Sequence, residues 1–160
     1  MVFPDYVEFI NALNANGVRY LIVGAQALSL HVRPRATKDL DILFNPTSAN
    51  AKRVLASLKS FFGTDFGYTV DDMLDISKGT QLGVEPVRID LFASIPGTRR
   101  FAQMWRDKID AGFGSTTAHY VSLDDLILMK ETSDRGQDNV DAEHLRRAKE
   151  YIERKKRRKK

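Results

Sequence analysis

The sequence predicts an α+β domain, a small β-sheet flanked by helices, with C-terminal helices and a basic tail. Three observations lead there. Short apolar runs stopped by glycine or proline alternate with segments whose apolar residues recur at helical spacing. Two of those runs, TQLGV and PVRIDLF, are separated only by Glu85-Pro86 and read as the strands of a hairpin. The chain has 160 residues, 42% hydrophobic and 29% charged, the size and balance of one domain with its own core. That domain is expected over residues 1–153, with residues 154–160 as a disordered basic tail.

The elements follow in order. Pro4 and Asp5 open a helix with Val7, Ile10 and Leu13 on its apolar face, ending at Asn16-Gly17. The run Tyr20 to Val23 reads as a buried strand stopped by Gly24, and Ala25 to Leu30 as a short helix. HVRPRATK has no apolar periodicity and is a loop, after which residues 40 to 44 form a second strand. Thr47 or Ser48 caps a helix through about Ser60 that presents Val54, Leu55 and Leu58 inward and stops near Gly63. Asp65 to Gly79 carries only a weak helical pattern around Val70, Met73 and Leu74. After the hairpin, Arg99 to Ile109 is expected to be helical, with Phe101, Met104 and Trp105 as its stripe. A short strand, HYV, precedes a helix capped by Ser122 and running to Thr132, and a last helix starts near Asp138.

Composition removes several kinds of chemistry. Without cysteine there is no disulfide, zinc thiolate site or cysteine nucleophile, so a metal must be held by oxygen or histidine ligands. His31, His119 and His144 have no ligand spacing, and no serine sits in a nucleophile-elbow sequence. No long apolar run and no signal-peptide pattern occurs, so a soluble cytoplasmic protein without a membrane partner is expected. The net charge of +4 conceals an asymmetry: His144 to Lys160 carries +8 and the rest of the chain −4. A block such as RKKRRKK repels itself and is usually solvated, and it also suits nucleic-acid phosphates.

Carboxylates at strand positions are the candidate chemistry. Alternate residues of a strand share a face, so Asp39 and Asp41 point together while Leu40 and Ile42 point to the core. Fifteen aspartates make one Asp-x-Asp unremarkable, and a solvent-facing edge would explain the pair equally well. Asp90 shares a face with Arg88 and Phe92 and needs a partner if buried, either Arg88 or a metal. If Asp90 lies beside the other strand, the three acids form an oxygen-rich site of the kind that holds divalent ions for phosphoryl transfer. Gly24, at a strand-to-helix turn, would let backbone approach a phosphate at a helix N-terminus. Arg33, Arg35, Thr37 and Lys38 offer donors for a polyphosphate, although basic loops are common.

Together these segments resemble the nucleotidyltransferase superfamily, whose signature is a Gly-Gly or Gly-Ser turn, a short spacer and an acid-x-acid strand. Here Gly24-Ala25 is followed by thirteen residues and then Asp39-Leu40-Asp41. The run RATKDLD, Arg35 to Asp41, is similar to the Arg-x-Thr-x-Asp-x-Asp of AbiEii-type bacterial toxins and minimal nucleotidyltransferases. Asp90 in RIDLF, Lys130 in LILMKE, and Arg135, Asp138 and Asp141 in RGQDNVD match that group's later motifs. Ala25 stands where the second glycine or serine is usual, and Gln137 where a basic residue often precedes the first aspartate.

The resemblance implies a nucleotidyltransferase fold with a mixed sheet, and magnesium or manganese bound by Asp39, Asp41 and Asp90. It further implies nucleotide contacts from Gly24 and Thr37, with Ala25, Arg35 and Lys38 beside them, and catalytic roles for Lys130 and Asp138. Helix-dipole complementation explains Asp138 and Asp141 equally well. The leading expectation is transfer of a nucleoside monophosphate from a nucleoside triphosphate to an RNA end, a protein side chain or a small molecule, in the manner of a toxin–antitoxin system. The alternatives are a nucleotide- or partner-protein-binding module that has lost the chemistry, and an RNA binder acting on tRNA or other RNA through the tail.

Overall fold

In the computed structural model, strands β1 (Tyr20–Val23) and β2 (Asp39–Phe44) run antiparallel at the centre of a six-stranded sheet. The structure describes residues 3–32, 37–133 and 135–160. Outward from β2 lie β4 (Val87–Phe92), parallel to it, and then β3 (Thr80–Val84), antiparallel to β4. On the other side, β1 pairs in parallel with β6 (Thr116–Tyr120), which pairs antiparallel with β5 (Ile109–Phe113). The order β3-β4-β2-β1-β6-β5 is the mixed sheet that the resemblance implies.

Seven helices accompany the sheet among the described residues. α1 (Pro4–Ala15), α3 (Ser48–Phe62) and the short α4 (Val70–Leu74) pack as one group, while α2 (Gly24–His31), α6 (Leu123–Thr132) and α7 (Gly136–Arg158) form another. α5 (Phe101–Arg106) connects β4 to β5. α1 buries Tyr6, Phe9, Ile10 and Leu13 at the helical spacing of its sequence. Those side chains join Leu21, Leu40, Ile42 and Leu58 in one core.

Local chemistry sets the ends of the longer helices. Thr47 accepts the Asn50 N–H, and Gly63 closes α3 in the left-handed conformation. Buried Asn50 accepts the Arg19 N–H and donates to the Arg19 and Asn45 carbonyls, which ties α3 to the ends of β1 and β2. Each such bond is worth about 1 kcal/mol net, and more is lost if a buried partner is left alone. The Tyr6 hydroxyl lies 3.3 Å from the Pro86 carbonyl and 3.2 Å from that of Arg88, anchoring the start of β4 to α1.

The structure differs from the sequence reading in three places. The helix expected over Arg99 to Ile109 spans only Phe101–Arg106, and β5 follows it. β5 is a mostly exposed edge strand without apolar alternation, so periodicity does not mark it. Its turn does, because Gly114 at φ +58° opens the two-residue loop to β6. The weak pattern before β3 is a five-residue helix held by a capping box between Thr69 and Asp72. α7 passes Glu153, where a disordered tail was expected to begin, and continues to Arg158 with its last turns exposed.

Candidate active site

The parallel register of β2 and β4 sets Asp41 opposite Asp90 and Asp39 opposite Arg88. Because alternate residues share a face, all four side chains leave the sheet on one side, over the end of β1. Asp39, Asp41 and Asp90 each offer a carboxylate oxygen, and these atoms lie within 4.8 Å of one another. The Thr37 hydroxyl donates to Asp39 Oδ1 at 2.7 Å and holds that carboxylate in place. Arg88 donates from Nη2 to Asp39 Oδ2 at 2.9 Å and from Nε to Asp90 Oδ2 at 3.2 Å.

Asp41 is the carboxyl least able to carry its charge. Burial, then the charges of Asp39 and Asp90, push its pKa up to about 7, with Arg88 pulling weakly the other way. Negative charge thus exceeds what Arg88 neutralises. Three hard oxygen donors with surplus negative charge fit a divalent cation such as magnesium or manganese. Directly beneath, Gly24 opens α2 at φ +65°, and a Cβ there would sit 2.2 Å from Asp41 Oδ2. Glycine is therefore required twice over, for its backbone angle and for the approach of the acid.

A second polar cluster forms the opposite wall. Lys130 on α6 reaches Asp138 Oδ1 at 2.9 Å and Asp141 Oδ2 at 3.4 Å, both from the first turns of α7. Asp138 Oδ2 also accepts from Ser133 Oγ at 2.5 Å and Arg135 Nε at 2.8 Å. Burial alone would raise the Asp138 pKa, but the bonds from Ser133, Lys130 and Arg135 outweigh it and hold the acid at about 2. Lys130 is nearly buried and electrically matched, so its ammonium is fixed rather than free to wander.

Both clusters line one open cavity of about 800 Å³. Its polar wall includes Gly24, the three aspartates and Arg88 at one side and Lys130, Ser133, Arg135 and Asp138 at the other. Phe92, Ile95, Pro96, Leu126 and Met129 supply an apolar floor. Other expected site residues stand outside this lining. Thr37 acts on Asp39 from behind, and the Ala25 carbonyl accepts the Ser29 hydroxyl. Lys38 pairs with Glu85 at 3.2 Å on the exposed hairpin turn. Arg35 lies outside the described residues, as does Arg33.

Sequence reasoning weighed Arg88 only as a salt-bridge partner for Asp90 and gave Ser133 and the 76–79 loop no role. The signal for Arg88 was present, since a residue two before Asp90 in a strand must share its face. Ser133 and the loop reach the cavity through tertiary packing and have no local signature.

Two carboxylates on one strand, a third acid in register with one of them on the neighbouring strand and a glycine turn at a helix start form an acidic site able to take a divalent cation, on a nucleotidyltransferase-like fold. The chain belongs to the family described as nucleotidyl transferase of unknown function (DUF2204), whose profile matches residues 2–159. No curated protein matches the chain significantly. Among the described residues no helix is long and apolar enough to cross a membrane.

Proposed function

We propose that the protein is a divalent-metal-dependent nucleotidyltransferase. An acceptor hydroxyl attacks the α-phosphorus of a nucleoside triphosphate and gives up its proton to solvent, the new P–O bond forms as the bond to pyrophosphate breaks, and the acceptor leaves carrying the nucleoside monophosphate. The observation that carries this reading is the register of β2 and β4, which gathers Asp39, Asp41 and Asp90 over Gly24. Those three residues would hold magnesium or manganese, which supplies charge for the triphosphate and lowers the pKa of the attacking hydroxyl. Thr37 orients Asp39. The start of α2, reached through Gly24 and Ala25, offers backbone amides to phosphate oxygens. Lys130, pinned by Asp138 and Asp141, faces the same cavity and is placed to meet the substrate's negative charge.

RNA is the acceptor favoured by α7. Lys155 to Lys160 are six consecutive cations, exposed and without an acidic partner among the described residues. Lys155 to Arg158 are spread around the last turn of the helix instead of forming one face, which suits phosphates better than an apolar or membrane surface.

The test incubates the full chain with magnesium and each labelled nucleoside triphosphate, with bulk tRNA or cell extract as acceptor. Label transfer that requires metal and disappears in Asp39→Ala/Asp41→Ala supports the enzyme. Equal labelling by both chains removes the site from the chemistry. Nucleotide binding without transfer by the wild type returns the binding-module reading, which Ala25 motivates. Growth arrest on expression of the wild type but not of the double variant is expected of a toxin of the AbiEii kind.

A further inference from the structure

One side chain already holds two of the three carboxylates that a metal would need. Arg88 leaves the same face of β4 as Asp90 and stands opposite Asp39 across the parallel ladder. Its guanidinium engages one oxygen of each, at 2.9 Å to Asp39 and 3.2 Å to Asp90. Among the described residues it is the one cation within ion-pair distance of the triad. Its side chain is 31% exposed and lines the open cavity, so it has space to turn away from the acids.

A divalent ion coordinated by the same carboxylates competes with the guanidinium for oxygen lone pairs and is repelled by its charge. We propose that Arg88 is the built-in counter-ion of the triad, competing with the divalent metal for Asp39 and Asp90 and thereby setting how tightly the site loads. This rests on the metal-site reading above. When no ion is bound, Arg88 keeps three clustered carboxylates compatible with the folded state. When an ion is bound, its guanidinium would give up oxygens of Asp39 and Asp90 to the ion. A residue that merely aligned the carboxylates would act with the opposite sign, because its loss would loosen the ligands and weaken metal binding.

The sign decides the matter. Manganese binding to the full chain is measured by calorimetry and by electron paramagnetic resonance for wild type, Arg88→Met and Arg88→Lys. Arg88→Met is expected to bind manganese on the order of tenfold tighter than wild type, with Arg88→Lys between them because a lysine can bridge fewer oxygens. In EDTA, Arg88→Met should also unfold at lower temperature than wild type and regain more of that loss on adding manganese. Binding by Arg88→Met that is equal to or weaker than wild type overturns the proposal while leaving the metal site standing. If neither chain binds manganese, the metal-site reading falls and this inference falls with it. Should Arg88→Met fail to fold, Arg88→Lys decides alone, and binding no tighter than wild type overturns the proposal.

Discussion

Asp41 and Gly24 occupy each other's space: the Oδ2 of the acid lies 2.2 Å from where a Cβ on residue 24 would be. The turn and the carboxylate are thus a single device, in which backbone without a side chain is the floor beneath the acid. Gly24→Ala should lose about 1–3 kcal/mol of stability through the positive φ and the clash, and should displace Asp41. Transfer activity should fall by more than about tenfold, since a displacement near 1 Å is costly to catalysis. Chemical denaturation and a labelling assay check both. Gly112→Ala, where an added Cβ meets open space, serves as the control and should stay within about 0.5 kcal/mol of wild type.

Asp41→Asn should separate stability from function. Replacing the acid most penalised by burial and by its two acidic neighbours relieves repulsion, so the metal-free protein is expected to gain on the order of 1 kcal/mol. The same change removes a ligand and should abolish metal-dependent transfer. Thermal unfolding in EDTA and manganese titration read the two effects, and an unchanged affinity for manganese would remove Asp41 from the ligand set.

Lys130 bridges two buried acids, of which only Asp138 also pairs with Arg135 among the described ion pairs, so its loss is a stability lesion before it is anything else. Lys130→Ala should cost about 3 kcal/mol, because Asp138 and Asp141 remain buried without it. Adding Asp138→Asn and Asp141→Asn to that chain should recover much of the loss. If transfer activity is absent in the recovered triple variant but present in Asp138→Asn/Asp141→Asn with Lys130 in place, the lysine has a role beyond packing.

Asp138 gives the fold an acid limit. Its pKa in the folded protein, about 2, lies below the ordinary value of 3.8, so the folded state binds fewer protons at this site than the unfolded chain. Its contribution, on the order of 2 kcal/mol, is fully present above about pH 4 and disappears as pH falls toward 2. Unfolding free energies measured from pH 2 to 7 should show a shallower acid slope in Asp138→Asn than in wild type. Parallel slopes would mean that Ser133, Lys130 and Arg135 do not stabilise the charged form.

Much of this is legible in the sequence. Alternation placed Asp39 with Asp41 and Asp90 with Arg88, because the period of a strand is a local property. Helix ends at Gly63 and Ser122 were readable from capping chemistry. What no local pattern contains is register: that Asp41 faces Asp90 is a fact of β2 meeting β4 across more than forty residues of intervening chain. The same is true of Lys130 meeting Asp138 across the turn from α6 to α7, which composition alone could not distinguish from a charged helix start. β5 escaped because it buries too little to alternate, and the helical continuation past Glu153 because a run of like charges argues for solvation whatever its backbone does.

α7 begins as a wall of the cavity and ends as a bare cationic rod. From Asp141 to Arg158 the helix rises about 25 Å at 1.5 Å per residue. A polyanion gripped at the far end would be held at a set span from the aspartate triad, so the helix would act as a ruler. Mononucleotides and short oligomers could touch one end only, and chain length rather than base sequence would then select the acceptor.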